Sequence, residues 1–117
     1  MLFNWYPGCG TCQKAKKWLD EQALPYTARH IRDEHPSLEE LTKWYRRSGL
    51  PIRRFFNTSG KLYAQYALKD KLPHMTEEEQ LALLASDGML IKRPLLITQD
   101  RVLVGFKPAE WAEALLD

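Results

Sequence analysis

Cysteine is scarce in this 117-residue chain: Cys9 and Cys12 are the only two. So close a pair is not the framework of a disulfide-stapled secreted domain. Long apolar runs are missing as well, so no segment reads as a membrane span. The first residues, Met1-Leu2-Phe3-Asn4-Trp5-Tyr6-Pro7, lack the basic start and long apolar core of a signal peptide. A reducing, cytoplasmic setting is therefore expected. Charge of one sign is also lacking, since 17 Lys and Arg against 15 Asp and Glu leave only +2. That balance argues against direct nucleic-acid binding, and any electrostatic function must come from local placement. No glycine-rich phosphate loop and no Ser/His/Asp arrangement is apparent.

What remains is ordinary for a globular protein: 44% hydrophobic and 27% charged residues. The length suits one domain, residues 1–117, with a core that needs no metal or disulfide. Leu2 to Tyr6 is short, aromatic and bounded by Pro7-Gly8, which predicts a buried strand. A helix follows over roughly Cys12 to Gln22, with Ala15, Trp18 and Leu19 on its apolar face. A second strand is expected near Tyr26 to His30. Ser37 with Glu40, and Thr76 with Glu79, are capping-box pairs that open two further helices. Ser48-Gly49 and Gly88 supply their stops. Between them, Pro51 to Gly60 reads as a loop and Leu62 to Ala67 as a short helix. Leu95 to Thr98 and Arg101 to Val104 form a hairpin around Gln99-Asp100, and a last helix begins at Pro108. This order is the thioredoxin plan: an α/β fold with a mixed four-stranded sheet, flanking helices and a helical insertion over about 37–88.

The sequence Cys9-Gly10-Thr11-Cys12 falls between a predicted strand and a predicted helix. Unpaired backbone N–H groups and the dipole at a helix N-terminus favour an anion, and a thiolate is one. Its pKa falls and its reactive fraction rises. Cys9, ahead of the helix, is the expected attacking sulfur. Cys12, in the first turn, is placed to resolve a mixed disulfide on Cys9. Gly8 and Gly10 would let the backbone approach closely, and the Thr11 hydroxyl could donate to the thiolate. A zinc site needs four ligands, and His30 and His35 fall in a polar connection, so no metal is expected.

Lys92-Arg93-Pro94 lies just before the hairpin. In thioredoxin-like folds a cis proline commonly faces the active cysteine from this position, which makes Pro94 the candidate. Arg93 would point a fixed cation at an anionic ligand or the thiolate. Arg53-Arg54, beside Phe55-Phe56, leaves two readings open: a site for an oxyanion, glutathione or an acidic surface, or a solvated face. Trp5, Trp18, Trp44 and Trp111 read as packing, and Trp5 and Tyr6 adjoin the cysteines.

On Tyr6-Pro7-Gly8-Cys9-Gly10-Thr11-Cys12-Gln13-Lys14-Ala15, Asp87-Gly88-Met89-Leu90-Ile91-Lys92-Arg93-Pro94 and Val104-Gly105-Phe106, the chain resembles the arsenate reductase/Spx family. The resemblance runs over essentially the whole chain. It implies a thioredoxin-like core and a nucleophilic cysteine, matched by Cys9. It also implies oxyanion-holding arginines, of which Arg93 matches one. Asn57 stands near a second such position and Gly105 or Lys107 near a third, which weighs against arsenate and leaves thiol chemistry intact. No bound cofactor is implied; the expected reductant is of the glutathione or thioredoxin type. The expected substrate is a small thiol, an oxyanion or a protein disulfide. The Spx branch implies instead a redox switch on Cys9 and Cys12 that binds the RNA polymerase α subunit.

Overall fold

The computed structural model describes residues 1–116; Asp117, the last residue of the predicted domain, lies outside the described residues. The chain opens with strand β1 (Leu2–Trp5), helix α1 (Gly10–Glu21) and strand β2 (Thr27–His30). Helices α2 (Leu38–Ser48), α3 (Lys61–Gln65), α4 (Leu68–Lys71) and α5 (Glu77–Ser86) follow. Strands β3 (Leu95–Ile97) and β4 (Val102–Val104) and helix α6 (Pro108–Leu115) complete the chain. The sheet order is β2-β1-β3-β4. β1 runs parallel to β2 and antiparallel to β3, and β3 pairs antiparallel with β4. This is the mixed four-stranded sheet with flanking helices that the sequence predicts.

Strand alternation sorts the core into two layers. Phe3, Leu96 and Leu103 face Ala15 and Leu19 of α1 and Trp111 of α6. Leu95, Ile97, Val102 and Val104 turn the other way, toward Leu41 and Trp44 of α2 and Leu81 and Leu84 of α5. Trp44 and Trp111 are buried as predicted, and Trp5 and Trp18, partly exposed, pack against the layer that holds Phe3 and Trp111. Both capping boxes form. Ser37 Oγ accepts from the Glu40 N–H and Thr76 Oγ1 from the Glu79 N–H, each with the reciprocal glutamate bond. Glu40 also accepts both Arg29 guanidinium nitrogens, at 3.0 and 2.9 Å, which ties α2 to β2.

Three parts of the sequence reading change. The first helix starts at Gly10 rather than Cys12. The Pro51–Gly60 loop contains a 3-10 turn, Ile52–Phe55. Helix α4 and the 3-10 turns at Leu72–His74 and Gly88–Leu90 were not foreseen. Gly88 also does more than stop a helix. It lies against the chain just after β2, where a Cβ would collide with the backbone carbonyl of Ile31. Backbone cannot yield as a side-chain tip can. Gly88→Ala is therefore expected to destabilise the protein by about 3 kcal/mol or more, read as a lowered urea midpoint with an unchanged slope.

Candidate functional site

β1 ends in a tight reversal, Tyr6-Pro7-Gly8-Cys9, closed by the Cys9 N–H donating to the Tyr6 carbonyl at 3.0 Å. Gln13 Nε2 braces it from α1, donating to the Pro7 carbonyl at 2.6 Å. Cys9 then sits at the N-cap of α1 in an extended conformation, and its carbonyl accepts the Gln13 N–H. The sulfur therefore faces the free N–H groups of the first turn. Both thiols are free; Cys9 is partly exposed and Cys12 is fully buried.

The two environments pull the thiols apart. Burial pushes Cys9 up, but the Cys12 N–H, the Cys12 thiol, the Arg93 charge and the Thr11 N–H outweigh it, so the Cys9 thiol is held below its ordinary value. Cys12 is pushed up to about 12, first by burial and then by the hydrogen bond and charge of Cys9, against the opposing Tyr6 backbone and Arg93. Thr11 thus acts on Cys9 through its backbone N–H, not through the hydroxyl expected from sequence. Gly10 does not serve a close approach either: a Cβ there would meet nothing within 4 Å.

The opposite wall comes from the far end of the chain. The Arg93–Pro94 peptide is cis, as anticipated. Arg93 lies with its guanidinium carbon 5.3 Å from the Tyr6 ring centroid, and its Nη1 donates to the Met89 carbonyl at 3.4 Å. Its Nε is buried without a hydrogen-bond partner. Arg32 lies 5.5 Å from the same ring centroid. Tyr6 is thus a cation–π seat for Arg93, a role the sequence did not reveal because the partner lies 87 positions away.

A cavity of about 520 Å³ joins these parts. Cys9, Thr11 and Arg93 line it together with Asn57, Lys61 and Lys92. Arg53 and Arg54 do not line it; they border two neighbouring cavities instead. The reason is Phe55-Phe56. Both rings are buried, and a bridge from Phe56 to Ile91 fixes the segment. Asn57, whose N–H donates to the Leu90 carbonyl at 2.8 Å, reaches the cavity while the two arginines stay outside it. Lys61, Ser59 and Met89 were not singled out from sequence; they reach the cavity through the turn at Gly60 and the packing before Lys92. Among the described residues, no group of three His, Cys, Asp or Glu is placed to hold a metal ion, and no helix is long and apolar enough to cross a membrane.

Residues 4–114, from the middle of β1 into the last turn of α6, match the ArsC family. The chain belongs to that family. A solved ArsC family related protein from Bacteroides fragilis superposes with a TM-score of 0.93 at 59% identity, covering 96% of this chain and 94% of that one. The uncharacterized Bacillus subtilis protein YusI is 55% identical over 113 residues, 97% of this chain and 96% of that protein. The global transcriptional regulator Spx of Staphylococcus haemolyticus is 30% identical over 105 residues, 89% of this chain and 78% of that protein.

If Tyr6 seats Arg93 and Arg93 holds the Cys9 thiol down, Arg93→Gln and Tyr6→Leu should both move the midpoint of Cys9 alkylation to higher pH. Each should slow iodoacetamide labelling at pH 7 several-fold. Tyr6→Phe, which keeps the ring, should behave like the parent protein.

Proposed function

We propose that this ArsC-family protein is a thiol-dependent oxidoreductase in which Cys9 is the nucleophile and Cys12 resolves through a Cys9–Cys12 disulfide. The observation that carries this reading is the contrast between the two thiols. One is partly exposed at a helix N-terminus beside Arg93 and held low; the other is buried, held high and hydrogen-bonded to the first. The Cys9 thiolate attacks a disulfide sulfur, expelling one thiolate and forming a mixed disulfide. Cys12 loses its proton and attacks the Cys9 sulfur, releasing the second thiolate. Two electrons pass from the protein's dithiol to the substrate disulfide. Arg93 forms the wall against which the substrate lies; Pro94, expected there from sequence, is buried and does not line the cavity, and Gly10 leaves room beside Cys9. A glutathione- or thioredoxin-type reductant then restores the pair in a reducing cytoplasm. Arsenate is the less favoured substrate, because the cavity offers Asn57 where the family resemblance leads one to expect a second arginine.

Titration in glutathione buffers, read by alkylation and intact mass, tests this. A single two-electron transition between roughly −270 and −180 mV, absent in Cys12→Ser, is the expected result. A lasting glutathione adduct on Cys9 in the parent protein would remove Cys12 from the mechanism. In the same samples, labelling of Cys9 should fall as pH drops through its lowered value, since only the thiolate reacts.

A second reading is favoured by the match to Spx over 89% of the chain: the pair is a redox switch on a regulator that binds RNA polymerase. Binding to the polymerase α subunit that changes between the dithiol and disulfide forms is its expected signature. Absence of binding in both forms would remove it.

A further inference from the structure

Lys92 borders three cavities at once. The first is the Cys9 cavity, whose charged lining is Lys61, Lys92 and Arg93. A second, of about 420 Å³, adds Arg54 and Lys107 and shares Thr11 with the first. A third, of about 440 Å³, adds Arg53. All six charged residues lining these spaces are cations, and no Asp or Glu lines any of them. In a chain whose net charge is only +2, this is a local concentration. Among the described residues none of the six is paired with a carboxylate; the ion pairs lie elsewhere, on Lys16, Arg29, His30 and Arg32. Cations this close repel one another unless an anion lies between them.

We propose that the disulfide substrate is that of a low-molecular-weight thiol whose arm carries phosphate, laid from Cys9 past Thr11 and Lys92 onto Arg54 and Lys107. The inference rests on the reading of Cys9 as a disulfide-attacking nucleophile and adds the substrate class. A thiol ending in an amino acid carries an ammonium as well as a carboxylate, and this lining has no acid to receive an ammonium. A phosphate arm carries only negative charge, and Arg and Lys are the side chains that bind it. Each cavity is also of small-molecule size, which favours a compact ligand over a protein segment. For the symmetrical disulfide RSSR, the Cys9 thiolate forms Cys9–S–S–R and expels RS⁻. Cys12 then gives up its proton and displaces the second RS⁻. One disulfide is reduced and one is formed.

Coenzyme A disulfide is the probe. Its rate of oxidising the reduced protein is compared with those of bis(2-hydroxyethyl) disulfide, cystamine, oxidised glutathione and the disulfide of a glutamate-rich cysteine peptide. Each rate is divided by that of the same disulfide with free mercaptoethanol, which removes leaving-group differences. The expected result is a corrected preference of about tenfold or more for coenzyme A disulfide over the neutral one at low ionic strength. The preference should shrink in salt and in Arg54→Gln/Lys107→Gln, whose two sites are exposed. Equal corrected rates, or a preference that survives both changes, would overturn it. So would oxidised glutathione or the acidic peptide matching coenzyme A disulfide, the peptide result pointing to a protein substrate. If no disulfide oxidises Cys9, the nucleophile reading itself fails; if all do without regard to charge, only the substrate class fails.

Discussion

The antiparallel pairing of β1 with β3 is the constraint on which the site depends. It sets Asn4 opposite Leu95 across 91 positions of sequence, and Asn4 Nδ2 reinforces the register by donating to the Leu95 carbonyl at 3.0 Å. Once that pair is fixed, Pro94 and Arg93 run off one end of β3 as Tyr6 and Cys9 run off the adjoining end of β1. The Tyr6 ring then meets the Arg93 guanidinium. A slip of one residue would turn Leu95 and Ile97 from one layer of the core to the other, so hydrophobic burial itself enforces the register. The Gly105 N–H adds a third tie, donating to the Pro94 carbonyl at 2.9 Å from a backbone with φ of +77° that favours glycine. Packing of the sheet and placement of the charge beside Cys9 are thus one event.

Much of this arrangement is local and so was legible in the sequence. Ser37 with Glu40 and Thr76 with Glu79 are contained in four-residue windows, and their bonds form as the pattern requires. Cys9 between an aromatic strand and an amphipathic helix is likewise a local fact. The errors fall where the deciding contact is distant or the element too short to show a period. Helix α4 has four residues and is entered through Ala67 at a φ of +52°, which no periodicity announces. Gly88 reads as a helix stop, yet its contact is with Ile31, far away in sequence. The placement of Arg53 and Arg54, for which the sequence left an anion site and a solvated face both open, is also set at a distance: they line the cavities beside the one that holds Cys9. Their position is decided by two consecutive buried rings, Phe55 and Phe56, and by a bridge to Ile91.

The insertion between β2 and β3 does more than cover one face of the sheet. Its 3-10 turn and α3 bring Asn57 and Lys61 to the Cys9 cavity, and the Lys92 N–H donates to the Phe55 carbonyl at 2.8 Å. Lys92 and the residue before the cis peptide are therefore held by the insertion on one side and the sheet on the other. The cavity is walled by three segments, and only the core of each is buried. The fold thereby keeps the charge pattern of the rim free to differ without loss of packing.

The high Cys12 value looks at odds with a resolving nucleophile, because a thiol near 12 is almost wholly protonated at neutral pH. The causes of that value resolve the conflict. Burial is the largest and persists throughout. The next two that raise it are the hydrogen bond to Cys9, strongest when Cys9 is a thiolate, and the negative charge on Cys9, present only then. When Cys9 enters a mixed disulfide, its charge is gone and its sulfur is a far poorer acceptor. Both raising effects then fall away, while the Tyr6 backbone bond and the Arg93 charge still favour the Cys12 thiolate. The Arg93 charge, shared by two sulfurs before attack, is left facing one. In the proposed reaction, Cys12 therefore stays protonated while it would compete with Cys9. It becomes more acidic once the bond it must break has formed, so substrate attack on Cys9 itself lowers the barrier to resolution.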